Sequence, residues 1–189
     1  MPRNPRPIRE VRVADARGFT LIELLLVVAI VGILAAISVA NYQYARLRGT
    51  ETSAIGSLTA INRAQFAYMQ TCGRQKFAPH LTTLGKTGPG STSPFLSPDL
   101  TSADEIEKSG YRIQMAGTEV VNPMQTCTGD TPVESYQVTA DPIAENSTGK
   151  RYFGTNVTLV IYENAESFHG KMPEREPPPT GQEVRGTPR

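Results

Sequence analysis

Between Glu23 and Arg46 the chain carries no charged residue at all. Those 22 residues, at ~1.5 Å of helical rise each, cover about 33 Å, enough to cross ~30 Å of hydrocarbon. No other stretch constrains the fold so strongly. A segment of this length and apolarity must meet lipid or other apolar surface, because water cannot solvate it without cost. Its first turn nevertheless holds an acid, in the string GFTLIELLLVVAIVGILAAI, and a carboxylate near a bilayer centre costs at least a few kcal/mol. Glu23 therefore needs a partner or a job.

Five arginines (Arg3, Arg6, Arg9, Arg12 and Arg17) stand before the apolar run against only Glu10 and Asp15. The head is thus net +3, the whole chain +1 and the remainder near −2. A basic head before an apolar span is the pattern that keeps the head cytoplasmic and sends the chain beyond the span outward. The near-neutral remainder has no basic stripe, which argues against a nucleic-acid partner. Three readings of this N-terminus compete. Ser38-Val39-Ala40 is acceptable as a secretory cleavage site, which would release a chain beginning at Asn41. An uncleaved single-span anchor, carrying a secreted or membrane-bound binding domain, is the second. Both leave Glu23 unexplained.

The third uses it. The string GFTLIELLLVVAIVGILAAI resembles the class III signal of type IV prepilins and type II secretion pseudopilins, over residues 18–37. The resemblance implies a cut between Gly18 and Phe19 by a membrane-embedded aspartyl prepilin peptidase, followed by N-methylation of Phe19. Glu23 then falls at the fifth mature position, where the family has its glutamate, and the resemblance implies that it pairs with the Phe19 amine of a neighbouring subunit during assembly. In low dielectric such a pair depends steeply on distance, so it sets register more than net stability. The implied partners are further copies of the chain or related pilins, the peptidase and an inner-membrane assembly platform. The implied location is a single pass of the inner membrane, with a periplasmic C-terminal domain, then an extracellular pilus or a periplasmic pseudopilus. The size fits either, and the cysteine pair favours the pilus. Many family members have proline at the 22nd mature position, where this chain has Ala40.

Beyond the span, Tyr44, Leu47, Ile55, Leu58, Phe66 and Met69 recur at helical spacing, with Glu51 and Asn62 on the same line. This predicts an amphipathic continuation of the helix to Cys72, stopped at Gly73 by a left-handed residue, with Gly32, Gly49 and Gly56 as soft points. Residues 73–100 are rich in Gly, Pro, Ser and Thr and read as loop. Ser102 and Glu105 have capping-box spacing, predicting a short helix through DEIEKS. Period-two patterning then predicts strands at 110–116, 134–141 and 156–163, with Ile113, Tyr136, Val138, Leu159 and Ile161 on the apolar face. From His169 onward, proline and charge predict a disordered or extended tail.

The expected fold is α+β, of type IV pilin-like kind, a long N-terminal helix packed on a small antiparallel sheet. Its parts are a leader (1–18), a membrane or filament-core half-helix (19–45), an amphipathic half (46–72), a loop with a short helix (73–109), the sheet (110–168) and the tail (169–189). Cys72 and Cys127 both follow the span, so an exported domain could join them in a disulfide, although spacing alone does not show them close enough. His80 and His169 have no ligand spacing with the cysteines, so no metal and no cofactor is expected. GKT at 85–87 lacks the earlier glycine of a phosphate loop, and no nucleophile–base set stands out, so no enzyme is expected. The cluster Asp99, Asp104, Glu105 and Glu107 reads as a solvated surface. Asn146-Ser-Thr and Asn156-Val-Thr both fit the N-glycosylation pattern.

Overall fold

A computed structural model describes residues 18–184, and the leader's arginines lie outside those residues. The chain divides into two compact units at Tyr42 and Gln43. One helix, α1 (Leu21–Thr71), enters both.

In the first unit α1 is helical without interruption through Gly32 and Ala40. Every described side chain from Gly18 to Val39 is exposed, including Leu24, Val28, Ile33 and Ile37. Ser38 donates its hydroxyl hydrogen to the Leu34 carbonyl at 2.8 Å, so this polar group is satisfied inside the helix. The helix is long and apolar enough to cross a membrane. The expected soft points are helical as well, and a Cβ at Gly32, Gly49 or Gly56 would meet nothing.

The second unit is an α+β body. After α1 come a single helical turn, α2 (Leu81–Leu84), and a 3-10 turn at Pro98–Leu100. Six strands follow: β1 (Glu105–Lys108), β2 (Tyr111–Glu119), β3 (Val133–Pro142), β4 (Tyr152–Asn156), β5 (Ile161–Asn164) and β6 (Gln182–Glu183). They form one sheet in chain order, each pair antiparallel. Ile106, Tyr111, Ile113, Tyr136, Val138, Ala140 and Phe153 bury against Ala54, Leu58, Ile61 and Tyr68 of α1 in a single core. A small sheet needs such a helix to be stable.

The buried stripe of α1 runs Glu51, Ala54, Leu58, Ile61 with its neighbour Asn62, Gln65 and Tyr68, at helical spacing, and continues to Cys72 just past the helix. This corrects the expected face in part, since Leu58, Glu51 and Asn62 do lie inward. Tyr44 and Phe66 are exposed, and Ile55 is only partly buried. Polar side chains take inward positions because each finds a partner. Gln65 donates to the Ala78 carbonyl at 3.0 Å and accepts the Ala78 N–H at 2.9 Å. Asn62 donates to Thr155 Oγ1 and accepts from the Tyr136 hydroxyl.

α1 ends where expected, by a different device. Arg74 and Gln75 take the positive φ angles, 53° and 70°, rather than Gly73. Glycine is required at 73 for space, since a Cβ there would fall 2.0 Å from the Lys76 carbonyl oxygen.

Three further expectations fail. DEIEKS is not a helix. It contains β1, whose Ile106 turns into the core while Glu105 and Glu107 face out, and Ser109-Gly110, both at positive φ, make the two-residue turn into β2. The segment 156–163 is not one strand: it runs from the end of β4 through a turn into β5, with Leu159 exposed in that turn at φ 64°. The region after His169 is not a disordered tail through residue 184. Phe168 and Met172 are buried over Gly154, where a Cβ would meet Met172 Sδ at 2.9 Å. Asn156 donates to the Pro173 and Glu176 carbonyls, both at 2.8 Å, and Glu174 accepts from the Thr118 N–H and the Ser135 hydroxyl. This strap closes the outer face of the sheet.

Candidate functional site at the helix N-terminus

Gly18, Phe19 and Thr20 precede the first helical residue, and Phe19 is 81% exposed. Thr20 is the N-cap. Its Oγ1 accepts the Glu23 N–H at 3.3 Å and its hydroxyl donates to Glu23 Oε2 at 3.5 Å, while its carbonyl accepts the Leu24 N–H at 3.2 Å. Threonine at the N-cap with glutamate three residues on is the capping-box spacing, here with the carboxylate on the threonine hydroxyl. The carboxylate also sits in the first turn, where the helix dipole favours negative charge. Glu23 therefore has a local role that the expectation of an assembly pair did not include. No cation among the described residues lies against it.

The Gly18–Phe19 junction lies outside the helix and is exposed. Gly18, Phe19 and Glu23 thus lie within six consecutive residues, at the exposed start of α1.

The second unit holds a different polar cluster, past the span. Glu51 is 3% exposed. It accepts from Arg151 Nη2 at 2.7 Å and Nε at 3.0 Å, and from the Lys150 N–H at 3.2 Å. Arg151 also pairs with Glu163 and lies over the Phe153 ring. Burial pushes the Glu51 carboxyl up, but hydrogen bonds from Arg151 and the Lys150 N–H, with the charges of Arg151 and Arg48, outweigh it and hold the group below the usual carboxylate range. The cluster has the character of a clamp between α1 and β4. Cys72 and Cys127 are joined by a disulfide with their Cα atoms 5.0 Å apart, fixing the end of α1 to the β2–β3 connection. Asp99 pairs with Lys108, and Glu105 and Glu107 with Arg112, so the acidic cluster is a solvated, internally paired surface. Among the described residues no group of three or more His, Cys, Asp or Glu side chains is placed to hold a metal.

Comparison with known proteins bears on the first of these sites. Residues 14–39 match the family model described as the prokaryotic N-terminal methylation motif. The N-terminal segment carries a motif of that kind. The chain is 48% identical over 52 residues to the type IV major pilin protein PilA of Myxococcus xanthus (strain DK1622), covering 28% of this chain and 24% of that protein. It is 50% identical over 48 residues to two fimbrial proteins of Pseudomonas aeruginosa, covering 25% of this chain and 31% of each. The match therefore spans about a quarter to a third of those relatives' length. No solved structure matches the chain at a significant level. The pilin-like fold, a long apolar N-terminal helix with an antiparallel sheet packed on its later part, agrees with the prepilin-type segment.

Proposed function

We propose that the chain is the precursor of a structural subunit of a type IV pilus. A prepilin peptidase cuts between Gly18 and Phe19, releases the arginine-rich leader on the cytoplasmic side and methylates the new Phe19 amine. The single observation that carries this reading is the methylation motif at residues 14–39, set at the head of a helix whose apolar side chains from Leu21 to Val39 are exposed among the described residues. Such a surface calls for lipid first and for other copies of itself later. Residues 19–45 anchor the subunit in the inner membrane, with the sheet domain in the periplasm, and then pack with their counterparts as the filament core. An assembly platform in the same membrane receives the subunit. The names of the relatives, pilin and fimbrial protein, favour a pilus over a secretion pseudopilus. The role is structural, the chain being substrate of a peptidase rather than an enzyme.

Cleavage creates the one α-amino cation in a segment that has no lysine or arginine between Phe19 and Arg46. Glu23 of a neighbouring copy is its partner, and removing one member of a buried pair costs about 3–5 kcal/mol, since the other is left buried and alone. The capping box makes the test sharper than a single alanine. Glu23→Gln keeps an N3 side chain able to serve the cap and removes the charge, whereas Glu23→Ala removes both. Both variants are expected to insert and be processed normally, and both to lose filaments in a shearing assay. Wild-type filament levels from Glu23→Gln would assign Glu23 to the cap alone.

A further inference from the structure

The two Asn-x-Ser/Thr triplets of the chain, indistinguishable in sequence, are opposites in the fold. Asn156 is fully buried at the end of β4. Its Nδ2 is spent on the Pro173 and Glu176 carbonyls, and its Oδ1 accepts from the Thr158 N–H at 3.0 Å and hydroxyl at 2.7 Å. No glycan fits there without expelling the strap.

Asn146 stands at the tip of the connection between β3 and β4, exposed, with φ 62°. Its backbone N–H is held by the Gly149 carbonyl at 2.8 Å, yet its carboxamide makes no hydrogen bond to any described residue. The base of the connection is fixed, because Thr148 O accepts from the Thr50 hydroxyl at 2.5 Å and the Ile143 N–H donates to Gly110 O at 3.0 Å. Between these anchors the connection is exposed from Ile143 to Ser147. Thr148, the residue of the triplet whose hydroxyl is read, keeps it on a local contact with Ala144 that opening one turn releases.

We infer that Asn146 is an acceptor for an N-linked glycan, donated by a lipid-pyrophosphate-linked oligosaccharide on the exported face of the membrane. The Asn146 Nδ2 forms the new bond to the anomeric carbon. The bond from that carbon to the pyrophosphate oxygen breaks, the lipid pyrophosphate leaves with the electron pair, and one amide proton passes to a base of the transferase. Asn156 stays unmodified in folded protein, because its amide hydrogens are already donated inside the sheet domain.

The inference rests on the proposed export of that domain, and the experiment separates the two. The full chain, with a reporter sequon fused after Arg189, is produced in cells whose oligosaccharyltransferase glycosylates a control protein carrying the same Ala-Glu-Asn-Ser-Thr string. Intact mass and glycopeptide mapping are then read on the purified chain. The expected result is one glycan on Asn146, absent from Asn146→Gln and Thr148→Ala, retained in Thr148→Ser, and none on Asn156. A modified reporter sequon with Asn146 bare, or a glycan on Asn156 of folded protein, overturns the inference while leaving export standing. A bare reporter sequon beside a modified control protein overturns export, and the inference with it.

Discussion

Asn62 is the polar residue whose removal should most damage the sheet domain. It lies on the buried stripe of α1, 5% exposed. Its Nδ2 donates to Thr155 Oγ1 at 2.8 Å and to the Leu159 carbonyl at 3.2 Å, and its Oδ1 accepts from the Tyr136 hydroxyl at 3.0 Å. Tyr136 is fully buried, so no water replaces the lost acceptor. Burial accordingly drives the Tyr136 phenol well above its ordinary value. In Asn62→Ala the stranded phenol hydroxyl costs ~1–3 kcal/mol, and the Leu159 carbonyl and the small cavity add to it. The expected loss is about 2–4 kcal/mol. Tyr136→Phe removes the other partner and strands Asn62 Oδ1, at a smaller cost of ~1–2 kcal/mol. Because the two share one bond, the double variant should lose about 1 kcal/mol less than the two singles together. Denaturant unfolding of the detergent-solubilised chain, followed by the near-ultraviolet signal of the tyrosines, reads all four proteins. A loss below ~0.5 kcal/mol in Asn62→Ala, the level of an ordinary surface substitution, or strict additivity of the pair, would refute the idea that polar contacts hold this helix on its sheet.

Reduction of Cys72–Cys127, which are 55 positions apart, should cost about 4 kcal/mol if loop-closure entropy dominates; a midpoint unchanged by reductant or by Cys127→Ser would contradict this. Glu51 titrates lower in the folded chain than in the unfolded one. Its contribution is therefore fully present above the unfolded carboxyl pKa of ~4.3 and fades as pH falls through the lower folded value. The melting temperature should fall on acidification below about pH 4.5, and Glu51→Gln should flatten that fall. An identical acid limb in wild type and Glu51→Gln would show that the clamp with Arg151 has no part in it.

Much of this architecture was legible because it rests on strong local signals. The helix over 21–71 follows from a chain free of proline and rich in helix formers, and the strands of β2 and β3 follow from alternation. The capping pattern was instructive in both directions. Ser102 and Glu105 have the spacing without an apolar helical run behind them, and they introduce a strand; Thr20 and Glu23 have the spacing directly before one, and they cap α1. The inward face of α1 was misjudged in part. Leu58, Glu51 and Asn62 lie inward as their line implied, but hydropathy favours Ile55 and Phe66 over Gln65. The burial of Glu51, Asn62 and Gln65 depends on partners 13 to 100 residues away. No window of sequence contains that information. The strap was missed for a related reason. Its two anchors, Phe168 and Met172, are sparse among prolines and charges, and what seats them is the missing side chain of Gly154 on another strand. The roles expected of Gly18, Phe19 and Glu23 rest on the motif alone, whereas the hydrogen bonds between Thr20 and Glu23 came only with the structure.

The central claim is that the chain is cut between Gly18 and Phe19 and keeps its apolar helix. The most direct measurement is the N-terminal identity of the mature protein, by sequencing and by mass of the first peptide. The account expects N-methylated Phe19 as the first residue. A mature chain beginning at Asn41 would contradict it, since the apolar helix would then be lost, and an intact arginine-rich leader would reduce the segment to a plain membrane anchor.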